Sequence, residues 1–247
     1  MSLPQLVAHR GYTAHYPENT LIALQAAVQA GADYVEFDVQ LTADGVPVLF
    51  HDRDCQRLCG QPEPIHEYTL AQAKTFSVSD FSQFGYKFVG NKITTLEEAV
   101  NYLATVPHVR CFVELKRLSL HQFGIEQVLE RVLPVVSAIE SQAVIISYSL
   151  EALVATKERS RYPIAAVFDQ WSERKQPLIQ KLKPEYWFTD IDELPRFGQL
   201  ACPDCQLAVY ECVDPKQAMK VHQRGVSLVE TFAIGEMIQA LNIMSTG

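Results

Sequence analysis

Nowhere in this chain do ~18 apolar residues run together, so no membrane-spanning helix is expected. The opening stretch, MSLPQLVAHR, lacks a basic start followed by an apolar core of about 7–15 residues, so no secretory signal is expected and cytoplasmic residence is the default. Positive charge is the scarcer sign. The 21 Lys and Arg stand against 29 Asp and Glu, a formal net charge of -8, which opposes binding to nucleic acid or to an anionic membrane. A small anionic substrate fits only where a local cation overrides that field. There is no G-x-G-x-x-G and no Walker-type loop, which argues against a nucleotide-binding sheet. Internal repeats, low-complexity tracts and interdomain linkers are also missing.

What is present is alternation. Short β-rich runs (Leu6–His9, Tyr34–Val39, Val46–His51, Arg110–Lys116, Ala143–Tyr148, Ile164–Asp169, Tyr186–Thr189, Leu207–Glu211 and Val226–Thr231) are mostly separated by amphipathic helical stretches. Asn19 is placed to cap a helix bearing Leu21, Leu24 and Val28, with Gly31 beyond its end. Thr95 and Glu98 have the spacing of a capping box, and Asp214-Pro215 opens a further helix that Gly225 stops. Alternating β and α elements imply a parallel sheet with right-handed crossovers. Nine strand candidates for eight places fit an α/β TIM (β/α)8 barrel with one extra strand, preferred over an open doubly wound sheet. The chain of 247 residues is then one barrel domain, 1–247.

Two places break the rhythm. Between Val39 and Val46 there is no room for a helix, so the second and third strands are joined by an extended return through Thr42-Ala43-Asp44-Gly45. Residues 52–94 form a long irregular segment after the third strand, with one helical turn expected near Thr69–Lys74. A loop of that length is commonly functional or inserted, and here it reads as a small insertion over the active-site rim.

In a parallel barrel the C-terminal ends of the strands converge on one rim, which carries the active site. The first strand brings His9 and Arg10 there, and the third ends in His51-Asp52. Glu36 and Asp38, two residues apart in "YVEFDV", share one face of their strand, and Glu114 and Lys116 in "CFVELK" do the same. Carboxylates inside apolar strands are costly unless paired, and three facing one cavity raise each other's pKa unless a cation lies between them. An oxygen-only set without cysteine points to one divalent cation, Mg2+ or Ca2+. Two imidazoles supply an acid and a base near neutral pH. Arg10 suits phosphate oxygens and Lys116 suits charge developing on them, so the set points to phosphoester cleavage.

These segments are similar to a known family. "AHRG…PENT", "EFDVQLTADGVPVLFHD", "FVELK" and "VIISYS", with "YTLAQA", "ITTLEEAV" and "RGVSLVETFAIGEM", resemble the motifs of glycerophosphodiester phosphodiesterases over most of the chain. The resemblance implies a TIM barrel that hydrolyses glycerophosphodiesters to sn-glycerol 3-phosphate and an alcohol with a divalent metal. His9 and His51 carry over as the acid/base pair, Glu36, Asp38 and Glu114 as metal ligands, and Arg10 and Lys116 as phosphate contacts. Glu18 and Asn19 match the PEN element that orders the first loop and are grouped with the substrate-binding residues. Whether water or the glycerol 2-hydroxyl attacks is left open. Three positions depart from the pattern: Tyr210-Glu211 for a frequent Trp-Thr, Glu230-Thr231 for Thr-Asp, and Thr94 for Pro. The first two bear on the head group, and none is expected to touch the metal or the histidines.

Other readings are a lysophospholipase D-like phosphodiesterase acting on lipids, with Phe76, Phe81, Phe84, Tyr86 and Phe88 as an apolar rim; a Schiff-base aldolase using Lys116; and a non-catalytic phosphate-binding module. The expected partner is a small phosphodiester, with no nucleic acid and no stable membrane anchoring. His15, His66, His108, His121 and His222 read as loop or surface residues. Six cysteines read as reduced thiols in that compartment. Cys55 and Cys59 fall on the rim side and Cys202 and Cys205 at the opposite end, so the two pairs cannot share a zinc.

Overall fold

The runs of Val, Ile and Phe that are apolar on both faces become strands buried on both sides. The computed structural model describes residues 2–200, 202 and 204–246. Its strands are β1 (Gln5–Ala8), β2 (Tyr34–Leu41), β3 (Pro47–Leu49), β4 (Arg110–Leu115), β5 (Ala143–Ser147), β6 (Ile164–Phe168), β7 (Tyr186–Asp190), β8 (Gln206–Tyr210) and β9 (Leu228–Thr231). All but β3 are parallel to their neighbours and follow the order β1-β2-β4-β5-β6-β7-β8-β9, with β9 pairing back onto β1. This is a closed eight-stranded TIM barrel. Val7, Phe112, Val144, Ala165, Phe188 and Leu228 fill its interior. The alternate residues, among them Val35, Phe37, Val113 and Ile145, face outward to a second, larger core shared with Leu24, Leu96, Val128 and Leu153 of the helices, the two-sided burial of a parallel sheet.

The extra strand is β3, and it is not a barrel strand of the kind its sequence suggested. It runs antiparallel to the upper part of β2, Val39 opposite Leu49 and Leu41 opposite Pro47. The hairpin closes where Gly45, at φ +75°, donates its N–H to the Thr42 carbonyl, a conformation for which a side chain carries a steric cost. The consequence is positional. β1 pairs with β2 only as far as Ala8 opposite Val35, and β3 pairs with β2 above that level. His51 therefore reaches the rim by descending toward the barrel beside the end of β1.

The helices are α1 (Leu21–Gln29), α2 (Gln56–Cys59), α3 (Leu70–Ala73), α4 (Phe81–Phe84), α5 (Leu96–Leu103), α6 (Arg117–Phe123), α7 (Ile125–Val136), α8 (Leu150–Arg159), α9 (Pro177–Leu182), α10 (Pro215–His222) and α11 (Ile234–Thr246). α5 begins at the Thr95–Glu98 capping box and α10 at Asp214, as the spacing predicts. The cap of α1 differs: the Thr20 hydroxyl, not the Asn19 side chain, accepts from the Ala23 N–H. Residues 52–94 hold α2, α3 and α4 and one 3₁₀ turn at Ile65–Glu67, where a single turn was expected. They bury Leu58, Ile65, Val78 and Ile93 with Val48 and Phe50 of β3 and its exit in a small core of their own.

Two further expectations need correction. Cys202 and Cys205 are joined in a disulfide, their Cα atoms 5.4 Å apart and within reach of that bond; Cys55, Cys59, Cys111 and Cys212 are free and buried. The side chain of His66 is only 8% exposed, and its ring stands perpendicular to that of Phe123 with centroids 6.3 Å apart. No helix among the described residues is long and apolar enough to cross a membrane.

Candidate active site

On one side of the barrel, four strands continue their inward-facing row one step higher with a polar residue, while β5, β6 and β7 continue theirs with Ile146, Val167 and Phe188. Tyr34 gives way to Glu36 and Asp38 on β2, Phe112 to Glu114 on β4, Leu228 to Glu230 on β9, and Val7 to His9 after β1. The register sets Asp38 directly opposite Glu114, so period-two alternation on adjacent strands brings their carboxylates onto one patch. Ligand oxygens of Glu36, Asp38 and Glu114 all lie within 4.8 Å of one another. Glu36 and Glu114 line a cavity of ≈ 380 Å³ together with His9, Arg10, His51, Lys116, Tyr148, Asp190, Asp192, Tyr210, Glu211 and Glu230, while Asp38 is buried and is not among its lining residues.

The two cations are already committed to these acids. Lys116 Nζ lies 2.9 Å from Asp38 Oδ1 and 3.0 Å from Glu114 Oε1. Arg10 places Nε 3.2 Å from Asp38 Oδ2 and donates from Nη1 to Glu18 Oε1 at 3.0 Å. Its backbone, held at φ +57°, points the amide N–H at Glu36 Oε2, 3.1 Å away.

Glu18 and Asn19 are not among the residues lining the cavity; both stand one layer behind it. Glu18 ties Arg10 to Arg57 of α2, whose Nη2 is 2.8 Å from Glu18 Oε1. Asn19 donates from Nδ2 to Asp38 Oδ2 at 2.8 Å and accepts the Asp38 N–H on Oδ1 at 3.0 Å. That pair of hydrogen bonds occupies the Asn19 amide, and Thr20 takes the α1 cap instead. Their side chains thereby brace Arg10 and Asp38 from behind.

Burial and neighbouring charge push the acids in different directions. Burial would raise the Asp38 pKa, but Lys116 and Arg10 outweigh it and hold it well below the usual carboxylate range. Burial, then Asp38, Glu230 and Glu114, drive Glu36 upward. Burial also raises Glu114, with Lys116 pulling the other way, and burial with the charge of Glu114 raises Glu230. Buried Oε1 atoms of Glu36 and Glu230 have no hydrogen-bond partner. A crowd of oxygen donors with an unmatched lone pair is what a hard divalent ion satisfies, so Glu36, Asp38 and Glu114 fit such an ion.

Both histidines present Nδ1 to a carboxylate. His51 Nδ1 is 2.9 Å from Asp52 Oδ1, and Asp52 is gripped by Arg57 Nε at 2.7 Å and Nη2 at 2.9 Å. His9 Nδ1 is 3.0 Å from Glu211 Oε2, its Nε2 is 3.7 Å from Glu36 Oε2, and its ring stacks on Phe232. Burial and Arg10 lower the His9 pKa.

Three neighbours escaped the sequence reading. Glu211 and Glu230 were set aside as distant from the metal and histidines, yet one touches His9 and the other stands among the acids. The signal for Glu230 was there: a carboxylate inside the apolar run "SLVETF", on the last strand, which barrel closure returns to the first. Arg57 gave no signal, since an arginine in an irregular loop predicts nothing by itself. None of Phe76, Phe81, Phe84, Tyr86 and Phe88 is among the residues lining the cavity. His15 lies outside it, paired with Glu236 at 2.6 Å.

A parallel (β/α)8 barrel with an acidic, histidine-flanked cavity at its C-terminal rim defines a class of barrel whose oxygen donors suit a hard cation. The profile of the Glycerophosphoryl diester phosphodiesterase family matches residues 9–230, and the chain belongs to that family. The Glycerophosphodiester phosphodiesterase of Bacillus subtilis (strain 168) is 29% identical over 232 residues, covering 90% of this chain and 74% of that one. A protein of Mycobacterium tuberculosis (strain ATCC 25618 / H37Rv) is 35% identical over 120 residues, 46% of this chain but only 39% of its own length. The chain thus aligns with about two fifths of that relative. Among solved structures, an Oleispira antarctica phosphodiesterase in complex with the product sn-glycerol-3-phosphate superposes with a TM-score of 0.84 at 24% identity, covering 97% of each chain. The glycerophosphodiester phosphodiesterase of Thermotoga maritima has a TM-score of 0.74 at 22% identity, covering 97% of this chain and 99% of that one. These likenesses establish the fold.

Proposed function

We propose that the protein hydrolyses glycerophosphodiesters to sn-glycerol 3-phosphate and an alcohol, with one divalent cation, Mg2+ or Ca2+, held by Glu36, Asp38 and Glu114. The observation that carries this reading is the meeting of that carboxylate triad with two carboxylate-backed imidazoles at a single cavity. Family membership supports it, as does the product found in the Oleispira antarctica structure of the same fold. When bound, the cation would supply Lewis-acid and template chemistry to phosphate and glycerol oxygens.

The chain's own residues do the rest. Arg10 and Lys116 contact the phosphate and offset the negative charge that grows on it in the transition state. Asn19 and Glu18 keep Asp38 and Arg10 in place for that contact. One histidine takes the proton from the attacking oxygen as it bonds to phosphorus, that oxygen being either water's or the glycerol 2-hydroxyl's, in which case water afterwards opens the cyclic phosphate to glycerol 3-phosphate. The other gives a proton to the departing alcohol oxygen as the P–O bond breaks, so that each turnover leaves the pair as it began once the two protons re-equilibrate with water. Residues 52–94 fold over the rim and, through Arg57, hold Asp52 against His51.

The test is release of glycerol 3-phosphate from glycerophosphocholine and glycerophosphoethanolamine, and of choline with lysophosphatidic acid from lysophosphatidylcholine, with Mg2+ or Ca2+ and after chelation. Metal-dependent release from the two water-soluble diesters is expected. No release with either metal, or undiminished release in excess chelator, would overturn the assignment.

A further inference from the structure

Asp52 follows His51 in the chain, but the carboxylate that backs His9 comes from 202 residues away, at the end of β8. We propose that Glu211 is a positioning residue that holds His9 in the tautomer with its proton on Nδ1 and leaves the Nε2 lone pair turned toward the cavity. The proposal rests on the reading of His9 as one of the acid–base pair.

The geometry leaves the ring little choice. Its plane is set by stacking on Phe232, with centroids 5.1 Å apart and planes within 8°. Its backbone is set by the His9 N–H donating to the Thr231 carbonyl at 3.1 Å. With the ring so placed, Nδ1 meets Glu211 Oε2 at 3.0 Å and Nε2 faces Glu36 Oε2 at 3.7 Å. An ionised carboxylate can only accept a hydrogen bond, so the shorter contact places the proton on Nδ1. An imidazole left to itself favours the opposite tautomer, which would turn an N–H toward the nucleophile instead of a lone pair. Among the described residues, His9 is the hydrogen-bond partner of the Glu211 carboxylate, which borders the cavity and is 35% exposed. A purely structural carboxylate has little reason to stand there, and the matching contact of Asp52 with His51 shows the same arrangement on the opposite imidazole. A carboxylate that orients a base in this way acts on the rate rather than on substrate affinity.

The experiment compares wild type, Glu211→Gln and Glu211→Ala as full-length, metal-loaded protein. Nitrogen-15 NMR of the His9 ring reads the tautomer without turnover, and steady-state rates on glycerophosphocholine read the consequence. Wild type should show the proton on Nδ1 and Glu211→Ala a shift of that proton to Nε2. Both variants should lose about 10²-fold in kcat, the lower range of acid–base contributions, with KM within about threefold. The near-isosteric Gln variant guards against a loss caused by misfolding. An unchanged His9 tautomer in Glu211→Ala, or kcat within twofold of wild type in either variant, overturns the proposal. If wild type were itself inactive on glycerophosphodiesters, the functional reading would fall, while the tautomer comparison would still decide the role of Glu211.

Discussion

A carboxyl 2% exposed among apolar strands must find a cation or keep its proton, and Glu36 is so placed. His51, by contrast, is not one of the Glu36, Asp38 and Glu114 group and reaches the cavity with Nδ1 already occupied by Asp52. The two residues should therefore fail differently. Glu36→Gln should lose most of the heat of Mg2+ or Ca2+ binding in isothermal titration calorimetry, and with it activity. His51→Ala or His9→Ala should bind metal with near-normal heat and lose about 10²–10⁴-fold in kcat. A histidine variant that turns over normally would dismiss the acid–base assignment, and a Glu36→Gln protein that titrates like wild type would dismiss the ligand. At this scale the site was legible where spacing alone decides geometry. Glu36-x-Asp38 and Glu114-x-Lys116 had to share a face once their apolar runs were read as strands, whichever sheet those strands joined. It was illegible where tertiary contact decides, as with Asn19, equally suited to capping a helix or to clamping Asp38, and with Glu211, whose partner is 202 residues away.

β2 is flanked along one edge by two different strands, β1 below and β3 above, and the loop leaving β1 must turn sharply to hand His9 and Arg10 to the gap between them. Gly11 makes that turn at φ +87°, and a Cβ placed on it would stand 2.7 Å from the carbonyl carbon of Ala23 in α1. The same approach lets Tyr12 donate its N–H to the Ala23 carbonyl at 3.0 Å. Gly11→Ala thus meets a left-handed backbone penalty of about 1–2 kcal/mol and an overpacking cost of about 1–3 kcal/mol. A fall in Tm of roughly 5–15 °C is expected for a chain of this size, with reduced kcat because Arg10 is displaced. Thermal melts check it, and a Tm within about 2 °C of wild type would show that α1 yields freely. Element existence was readable from alternation and caps, whereas strand direction was not. A short apolar run such as Val46–His51 reads alike in a parallel or antiparallel pair, and the only clue was the few residues separating it from β2.

For the molecule as a whole, the cavity concentrates the sign of charge that the chain already carries in excess. Arg10 and Lys116 stand against Glu36, Asp38, Glu114, Glu211 and Glu230, so in the absence of a bound cation the folded state is left to reduce repulsion by keeping protons. Glu36, Glu114 and Glu230 are all raised by burial and mutual charge. From the unfolded carboxyl range near 4.5 up to their raised folded values, the native state binds more protons than the unfolded chain, so stability falls as pH rises through that window. Asp38 has the opposite sign, but its contribution is complete above about 3.8 and cannot offset the loss at neutral pH. Urea unfolding with chelator present should therefore give a lower free energy at pH 8 than at pH 5, and Glu230→Gln should flatten the decline by removing one titrating acid and its push on Glu36 while leaving the Glu36, Asp38 and Glu114 carboxyls in place. Saturating Mg2+ or Ca2+ should recover stability most at pH 8, where the ligands it competes for are deprotonated. Because other groups titrate in the same range, the wild-type-minus-Glu230→Gln difference is the quantity to follow. A difference that stays flat from pH 5 to pH 8 would mean that Glu230 feels neither its burial nor Glu114.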